Sequence, residues 1–225
     1  MEKITIFILI LLAPLFFYNL GGYSLVDFDE AWYGEISRNI LAGGNPFILT
    51  FNDKSYLDHP PLGFILMAAS QLLFGSNEFG VRFPSALLGF GSVILTYLVA
   101  RTLFGNVVGM SSMLVLTSSV WFILRSRQGD LDTILLFFYL LTIYLALQVK
   151  KNTNYIYAVS ASAALLLSTK SFFGITVLGA LIAVFLVNKI KIPIKKVLFS
   201  VLIFLIITGA WLIPNYLVYK MDFVN

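Results

Sequence analysis

Residues 27–39 read DFDEAWYGEISRN and carry four carboxylates, Asp27, Asp29, Glu30 and Glu35. A carboxylate beside a polar reactant can take its proton or orient it, which makes Asp29 the leading candidate for a general base and Glu30 the second. Another pair, Asp130 and Asp132 in RSRQGDLDT, follows Arg125 and Arg127. A guanidinium can grip a phosphate through two parallel N–H bonds, whereas a lysine acts as a point charge. Arg82, Arg125, Arg127 and Lys170 are therefore candidate anion contacts. Asp58 and His59 are candidates for a divalent metal ion, although two adjacent side chains specify no third ligand. The chain has no cysteine and His59 is its only histidine. Disulfide frameworks and thiolate or His-rich metal sites are thus excluded, and a Ser-His-Asp triad would rest on His59.

Structural roles compete for the same residues. Asp27 and Glu30 have the spacing of a capping box, and acids in a first helical turn are favoured by about 0.3–1 kcal/mol through the macrodipole. Glu35 can pair with Arg38 at i,i+3, and Asp132 can cap a helix before Thr133. The cations can snorkel to an interface, and the arginines around Asp130 can simply neutralise it.

The elements that must position these groups are apolar. Hydrophobic residues make up 59% of the 225 and charged residues 12%, with mean hydropathy of +0.91, which marks an all-α polytopic membrane protein. Spans are expected at Ile4–Leu20, Ser85–Phe104, Val107–Leu124, Thr133–Val149, Tyr155–Thr169, Phe172–Val187 and Val197–Pro214, seven in all. The first is read as a retained span, since NLGGYSLVDFDE after it offers no clear cleavage site. The apolar stretch 155–187 is too long for one span, and Lys170 near its middle predicts a hairpin.

Loop charge sets the orientation. With the N-terminus cytoplasmic, the inner set holds Lys3, Arg101, Lys150, Lys151, Lys189, Lys191, Lys195 and Lys196 against Glu2 alone. The pI near 9.2 is thereby explained by topology rather than by nucleic acid, because the cations are dispersed among short loops. The remaining acids then face outward, most of them in the long loop 21–84. That loop is too long for a mere connector and is expected to carry function. Trp32, Tyr33, Ile36 and Ile40 fall on one helical stripe, with Asp29 on the same face and Gly43 and Gly44 as the stop. A second helix is expected from Pro61 to Phe74, ended by Gly75. Both read as interfacial helices at headgroup depth.

The string DEAWYGEISRNIL resembles the Asp-Glu motif that opens the first extracytoplasmic loop of the GT-C membrane glycosyltransferases. The likeness is greatest to the lipid A aminoarabinose transferase and protein O-mannosyltransferase-like group. It continues through DHPPLGFILMAA, FGSNEFGVRFPSALLG and the later acid of RSRQGDLDTILLFF, and covers about residues 5–220. It implies a polyprenyl-phosphate sugar donor, a membrane lipid, glycan or protein acceptor, and inverting transfer on the outer face of the plasma membrane. It also implies catalytic roles at Asp29 and Asp132, with Glu30 beside them. Substrate contacts are expected from Tyr33, Arg38, Asp58, His59, Arg82, Arg125, Arg127 and Lys170. Two positions depart from the pattern: Asp58-His59-Pro60 replaces Glu-Lys-Pro, so a cation is present only when His59 is protonated, and Lys170-Ser171 replaces Lys-Gly, which keeps the charge. The family's members have eleven or more spans, so this chain is expected to be the N-terminal part of such an enzyme. A non-catalytic membrane subunit and an inactive fragment are the alternatives. A secondary transporter would need charges within spans and an internal repeat, and neither is visible.

Overall fold

The structure, a computed structural model, describes residues 3–26, 28–170 and 174–220. Asp27, the expected capping residue, lies outside the described residues, as do Ser171 and Phe172. The helices are α1 (Lys3–Phe17), α2 (Asp29–Leu41), α3 (Leu62–Phe74), α4 (Glu78–Phe104), α5 (Asn106–Ser118), α6 (Val120–Ser126), α7 (Leu131–Val149), α8 (Tyr155–Leu167), α9 (Val177–Val187) and α10 (Ile194–Tyr219). A small antiparallel hairpin, β1 (Thr50–Phe51) with β2 (Lys54–Ser55), qualifies the all-α expectation. Asn52 and Asp53 between its strands both have positive φ, the conformation that a two-residue hairpin turn needs. Helices α4, α7 and α10 are long and apolar enough to cross a membrane. A fourth crossing is available if α5 and α6, bent by 74°, make one broken span.

The chain divides into two compact units, Met1–Gly43 with Gly63–Phe137 and Gly44–Leu62 with Phe138–Asn225. In the first, α1 lies on α4, and Leu9, Phe16, Val93, Tyr97 and Met113 form a buried cluster. Phe16 meets Phe90 and Phe122 edge-on, at centroid distances of 5.6 and 6.0 Å. Asn77 starts α4 by accepting the Gly80 N–H at 2.9 Å, so the helix begins seven residues before the expected span at Ser85. Its Pro84 is accommodated inside the helix. Helices α4 and α5 form a close hairpin around Gly105, whose φ is +92°. The expected span Val107–Leu124 breaks at Ser119, whose hydroxyl accepts the Phe122 N–H at 3.4 Å and restarts the chain as α6.

In the second unit α8 and α10 run side by side in the same direction. Lys196 Nζ donates to Thr153 Oγ1 at 2.6 Å and to Asn154 Oδ1 at 2.7 Å. Farther along, Tyr157 packs edge-on against Phe199, and the Ser160 hydroxyl donates to the Ser200 carbonyl. At the other end of this pair, Asn215 Nδ2 donates to the Phe47 carbonyl at 2.7 Å and the Leu62 N–H to the Ser168 carbonyl at 3.0 Å. The segment 44–62 therefore docks at the end opposite the lysines. The expected break near Lys170 is present, since α8 ends at Leu167 and α9 starts at Val177.

Candidate active site

Helix α2 places its two leading acids in opposite environments. Its buried face consists of Glu30, Tyr33, Gly34, Ile36 and Ser37. The expected stripe is corrected here: Trp32 is 42% exposed, and Asp29 points outward while Glu30 points in. A buried guanidinium causes the inversion. Glu30, 4% exposed, faces Arg82, which is fully buried. Arg82 Nε donates to Glu30 Oε1 at 2.7 Å and Nη2 to Oε2 at 3.0 Å. The Val26 N–H reaches Oε2 at 2.7 Å and the Gly129 N–H reaches Oε1 at 2.8 Å, so four donors converge on one carboxylate. Glu30 is more than the helix-end partner expected of it. It joins the segment before α2, the helix itself, α4 and the loop after α6.

Arg82 is equally committed. Its remaining N–H groups donate to the carbonyls of Leu20 at 3.0 Å, Tyr23 at 2.8 Å and Ser24 at 2.9 Å, and its Cζ lies 3.8 Å from the Tyr23 ring centroid. All five guanidinium donors are engaged within the protein. The phosphate contact expected at Arg82 is therefore replaced by a structural role. A charged pair this buried is destabilising unless its geometry is complete, and here each partner is fully hydrogen-bonded.

Asp29 emerges from this hub on the wall of a cavity of about 300 Å³, lined also by Val26, Phe28, Trp121, Leu124 and Arg125, together with Glu30 and the 128–130 loop. Its carboxylate has no hydrogen bond or ion pair among the described residues. The residue before it, Phe28, has φ of +67°, a strained conformation for a residue with a side chain and one that clusters at functional sites. Arg125 gives one N–H to Asp130 Oδ2 at 2.8 Å, and its side chain is 46% exposed toward the same cavity. Of the pair Asp130 and Asp132, Asp130 is the buried and organised acid. Its Oδ1 accepts the Asp132 N–H at 2.9 Å, so Asp130 rather than Asp132 caps α7. Its backbone is clasped by Ser85, whose hydroxyl accepts the Asp130 N–H at 3.1 Å and donates to the Asp130 carbonyl at 2.9 Å. Asp132 is exposed in the first turn of α7.

Other expected contacts take structural places. The Tyr33 ring is buried and meets Phe64 edge-on at 5.3 Å, which corrects its reading as a substrate contact. Arg127 donates to the carbonyls of Leu15 at 3.0 Å and Tyr18 at 2.7 Å, so two of its N–H groups hold the end of α1. Arg38 pairs with Glu35 as its spacing predicted, beside a separate cavity of about 220 Å³. Asp58, His59 and Lys170 belong to the second unit, where the His59 ring lies 6.4 Å from that of Tyr56. Among the described residues no group of three or more His, Cys, Asp or Glu side chains is placed to hold a metal ion. Three contributors escaped the sequence reading: Ser85, Gly129 and Trp121. Only Gly129 left a signal, as the glycine inside RSRQGD. A Cβ there would lie 2.6 Å from Val81 Cγ1, so a side chain would force the loop off Glu30.

The model of the dolichyl-phosphate-mannose-protein mannosyltransferase family matches residues 58–213. A protein of Aquifex aeolicus (strain VF5) is 29% identical over 231 residues, which covers 100% of this chain and 46% of the relative. An undecaprenyl phosphate-alpha-4-amino-4-deoxy-L-arabinose arabinosyl transferase of Pseudomonas fluorescens (strain Pf0-1) is 40% identical over 101 residues, 45% of this chain and 18% of the relative. The crystal structure of ArnT from Cupriavidus metallidurans bound to undecaprenyl phosphate has the same fold, with a TM-score of 0.84 at 23% identity over 99% of this chain and 43% of that one. The chain spans less than half the length of each of these relatives. Its apolar helices and these likenesses make it a multi-pass membrane protein of the GT-C type, and it belongs to the dolichyl-phosphate-mannose-protein mannosyltransferase family.

Proposed function

We propose that this chain provides the reacting carboxylate and a phosphate contact of a glycosyltransferase that uses a polyprenyl-phosphate sugar, working with inversion on the extracytoplasmic face. The observation that carries the reading is the cavity in which Asp29 and Arg125 stand beside an apolar wall of Val26, Phe28, Trp121 and Leu124. A lipid-linked sugar phosphate has matching parts, an anion and an apolar carrier. The family description names a dolichyl-phosphate sugar and the Pseudomonas relative an undecaprenyl phosphate sugar, so the donor class is what they share.

In the transfer, Asp29 accepts the proton of the acceptor hydroxyl as its oxygen attacks the anomeric carbon. The new C–O bond forms opposite the phosphate, and the bond from the anomeric carbon to the phosphate oxygen breaks with its electron pair left on the phosphate. A single displacement inverts the anomeric centre. Arg125, held toward the cavity by Asp130, neutralises the charge that develops on the leaving phosphate. The hub of Glu30 and Arg82 fixes the start of α2, so Asp29 keeps its place during the reaction. Asp132 is a candidate for orienting the acceptor. In the second unit Lys170 is the corresponding candidate cation, with Asp58 and His59 as polar contacts.

The interfacial setting of α2 and α3 and the outward face of the loop 21–84 follow from the same reading. The docking of segment 44–62 at the end of α8 and α10 opposite the lysines supports that orientation. The test is binding of undecaprenyl phosphate sugar to the purified chain, followed by transfer to a hydroxyl acceptor. Binding lost in Arg125→Gln supports the assignment. Binding unchanged in that variant refutes it, and binding without any transfer points to a non-catalytic donor-holding subunit.

A further inference from the structure

The second unit carries a charged surface that sugar transfer leaves unexplained. Six lysines gather where α8 and α10 begin: Lys150 and Lys151 precede α8, Lys189 and Lys191 lie between α9 and α10, and Lys195 and Lys196 open α10. All but Lys196 are exposed. From Asp132 to Asp222 the sequence contains no acid, so no carboxylate of this stretch can balance them. Yet one ammonium is held in place: Lys196 Nζ gives two of its three N–H groups to the neutral oxygens of Thr153 and Asn154 at 2.6 and 2.7 Å. A charge excess alone would serve to orient helices in a membrane, and it would need no such fixing. An ammonium oriented by two neutral acceptors keeps its full charge and one N–H for an external anion.

We propose that this end of the second unit is a binding site for the phosphate of an anionic phospholipid headgroup, with Lys196 as the fixed donor and Lys191 and Lys195 as its exposed neighbours. The lysines flank the ends of apolar helices, the depth at which a bilayer presents its phosphates, and lipid acyl chains can lie on the exposed aliphatic face of α10, which includes Leu198, Leu202 and Leu205. The inference rests on the membrane character of the chain and is independent of the sugar-transfer reading, because none of these lysines belongs to the Asp29 cavity.

The experiment titrates the detergent-purified chain with spin-labelled phosphatidylglycerol and, separately, with spin-labelled phosphatidylcholine, and reads the immobilised fraction. The parent should prefer phosphatidylglycerol, with the preference abolished in high salt. K191Q/K195Q should reduce it about fivefold for each charge removed. T153A/N154A leaves every charge in place and should reduce it at least twofold by releasing Lys196. K54Q removes a lysine from the opposite end of the unit and should leave it unchanged. Equal binding of the two lipids would overturn the proposal, as would parent-like preference in T153A/N154A or a loss in K54Q equal to that per charge in K191Q/K195Q. Displacement of the lipid by millimolar inorganic phosphate would also overturn it, since the ligand would then be a free anion. Circular dichroism verifies that each variant retains its helices.

Discussion

Glu30→Gln isolates what the buried pair contributes, because it preserves size and removes charge. The four donors around Glu30 are Arg82 Nε, Arg82 Nη2, Val26 N–H and Gly129 N–H. A glutamine carbonyl at the Oε1 position can still accept from Arg82 Nε and Gly129. Its NH₂ at the Oε2 position then confronts Arg82 Nη2 and the Val26 N–H, donor against donor. Two hydrogen bonds to the ionised carboxylate are lost, one of them from the guanidinium, which also loses its counter-ion. Unsatisfied buried groups cost about 1–3 kcal/mol each, and breaking a buried ion pair about 3–5 kcal/mol. We expect destabilisation of about 3–4 kcal/mol, read from reversible unfolding in mixed micelles by circular dichroism. Arg82→Met should cost at least as much, since it strands the carboxylate and frees the carbonyls of Leu20, Tyr23 and Ser24. The double variant removes both charges and should recover about 2–3 kcal/mol of the summed loss as coupling energy. Singles that add to within about 0.5 kcal/mol would refute the pair as the organising contact of this unit.

Arg125→Lys should weaken donor binding less than Arg125→Gln, which keeps no charge, and Arg125→Gln should also cost about 1–3 kcal/mol because it takes the counter-ion from the buried Asp130 carboxylate; binding isotherms and melting curves check both arms. Gly129→Ala places a Cβ against Val81 and should destabilise by about 1–3 kcal/mol while lowering donor affinity, measured by the same two assays. Cysteines introduced at Asn45 and Asn188 should label from opposite sides of the membrane with an impermeant reagent, and labelling of both from one side would reject the proposed orientation.

Local signals in the sequence translated well into local structure. Gly43 and Gly75 both adopt positive φ near the ends of α2 and α3, and the Glu35–Arg38 pair forms because i,i+3 neighbours on a helix meet whatever surrounds them. The Asp-Glu pair was visible, but the division of labour within it depended on Arg82, 52 positions away, and on Gly129, 99 positions away. The helical stripe of Trp32, Tyr33, Ile36 and Ile40 took in Asp29 and not Glu30, and so preferred Asp29 as the acid on the packed face. A buried guanidinium reverses that preference. The same blindness to polar partners hid the break at Ser119. Hydropathy sees Val107–Leu124 as one apolar run, whereas a serine that caps a new helix lets the chain turn by 74°. Arg82 was read as an anion contact because nothing local reveals that the backbone carbonyls of Leu20, Tyr23 and Ser24 occupy it.

The central claim, that Asp29 is the reacting carboxylate and Glu30 its support, is tested most directly by the rate of sugar transfer in Asp29→Asn, measured alongside its unfolding. Asp29 is exposed and has no partner among the described residues, so the change to asparagine should leave stability within about 0.5 kcal/mol of the parent. Transfer from undecaprenyl phosphate sugar should fall about a hundredfold or more, the scale of a lost positioned base, with donor binding retained. A folded Asp29→Asn variant that transfers sugar at close to the parent rate would contradict the account and move the search for the base to Asp132 or Asp58.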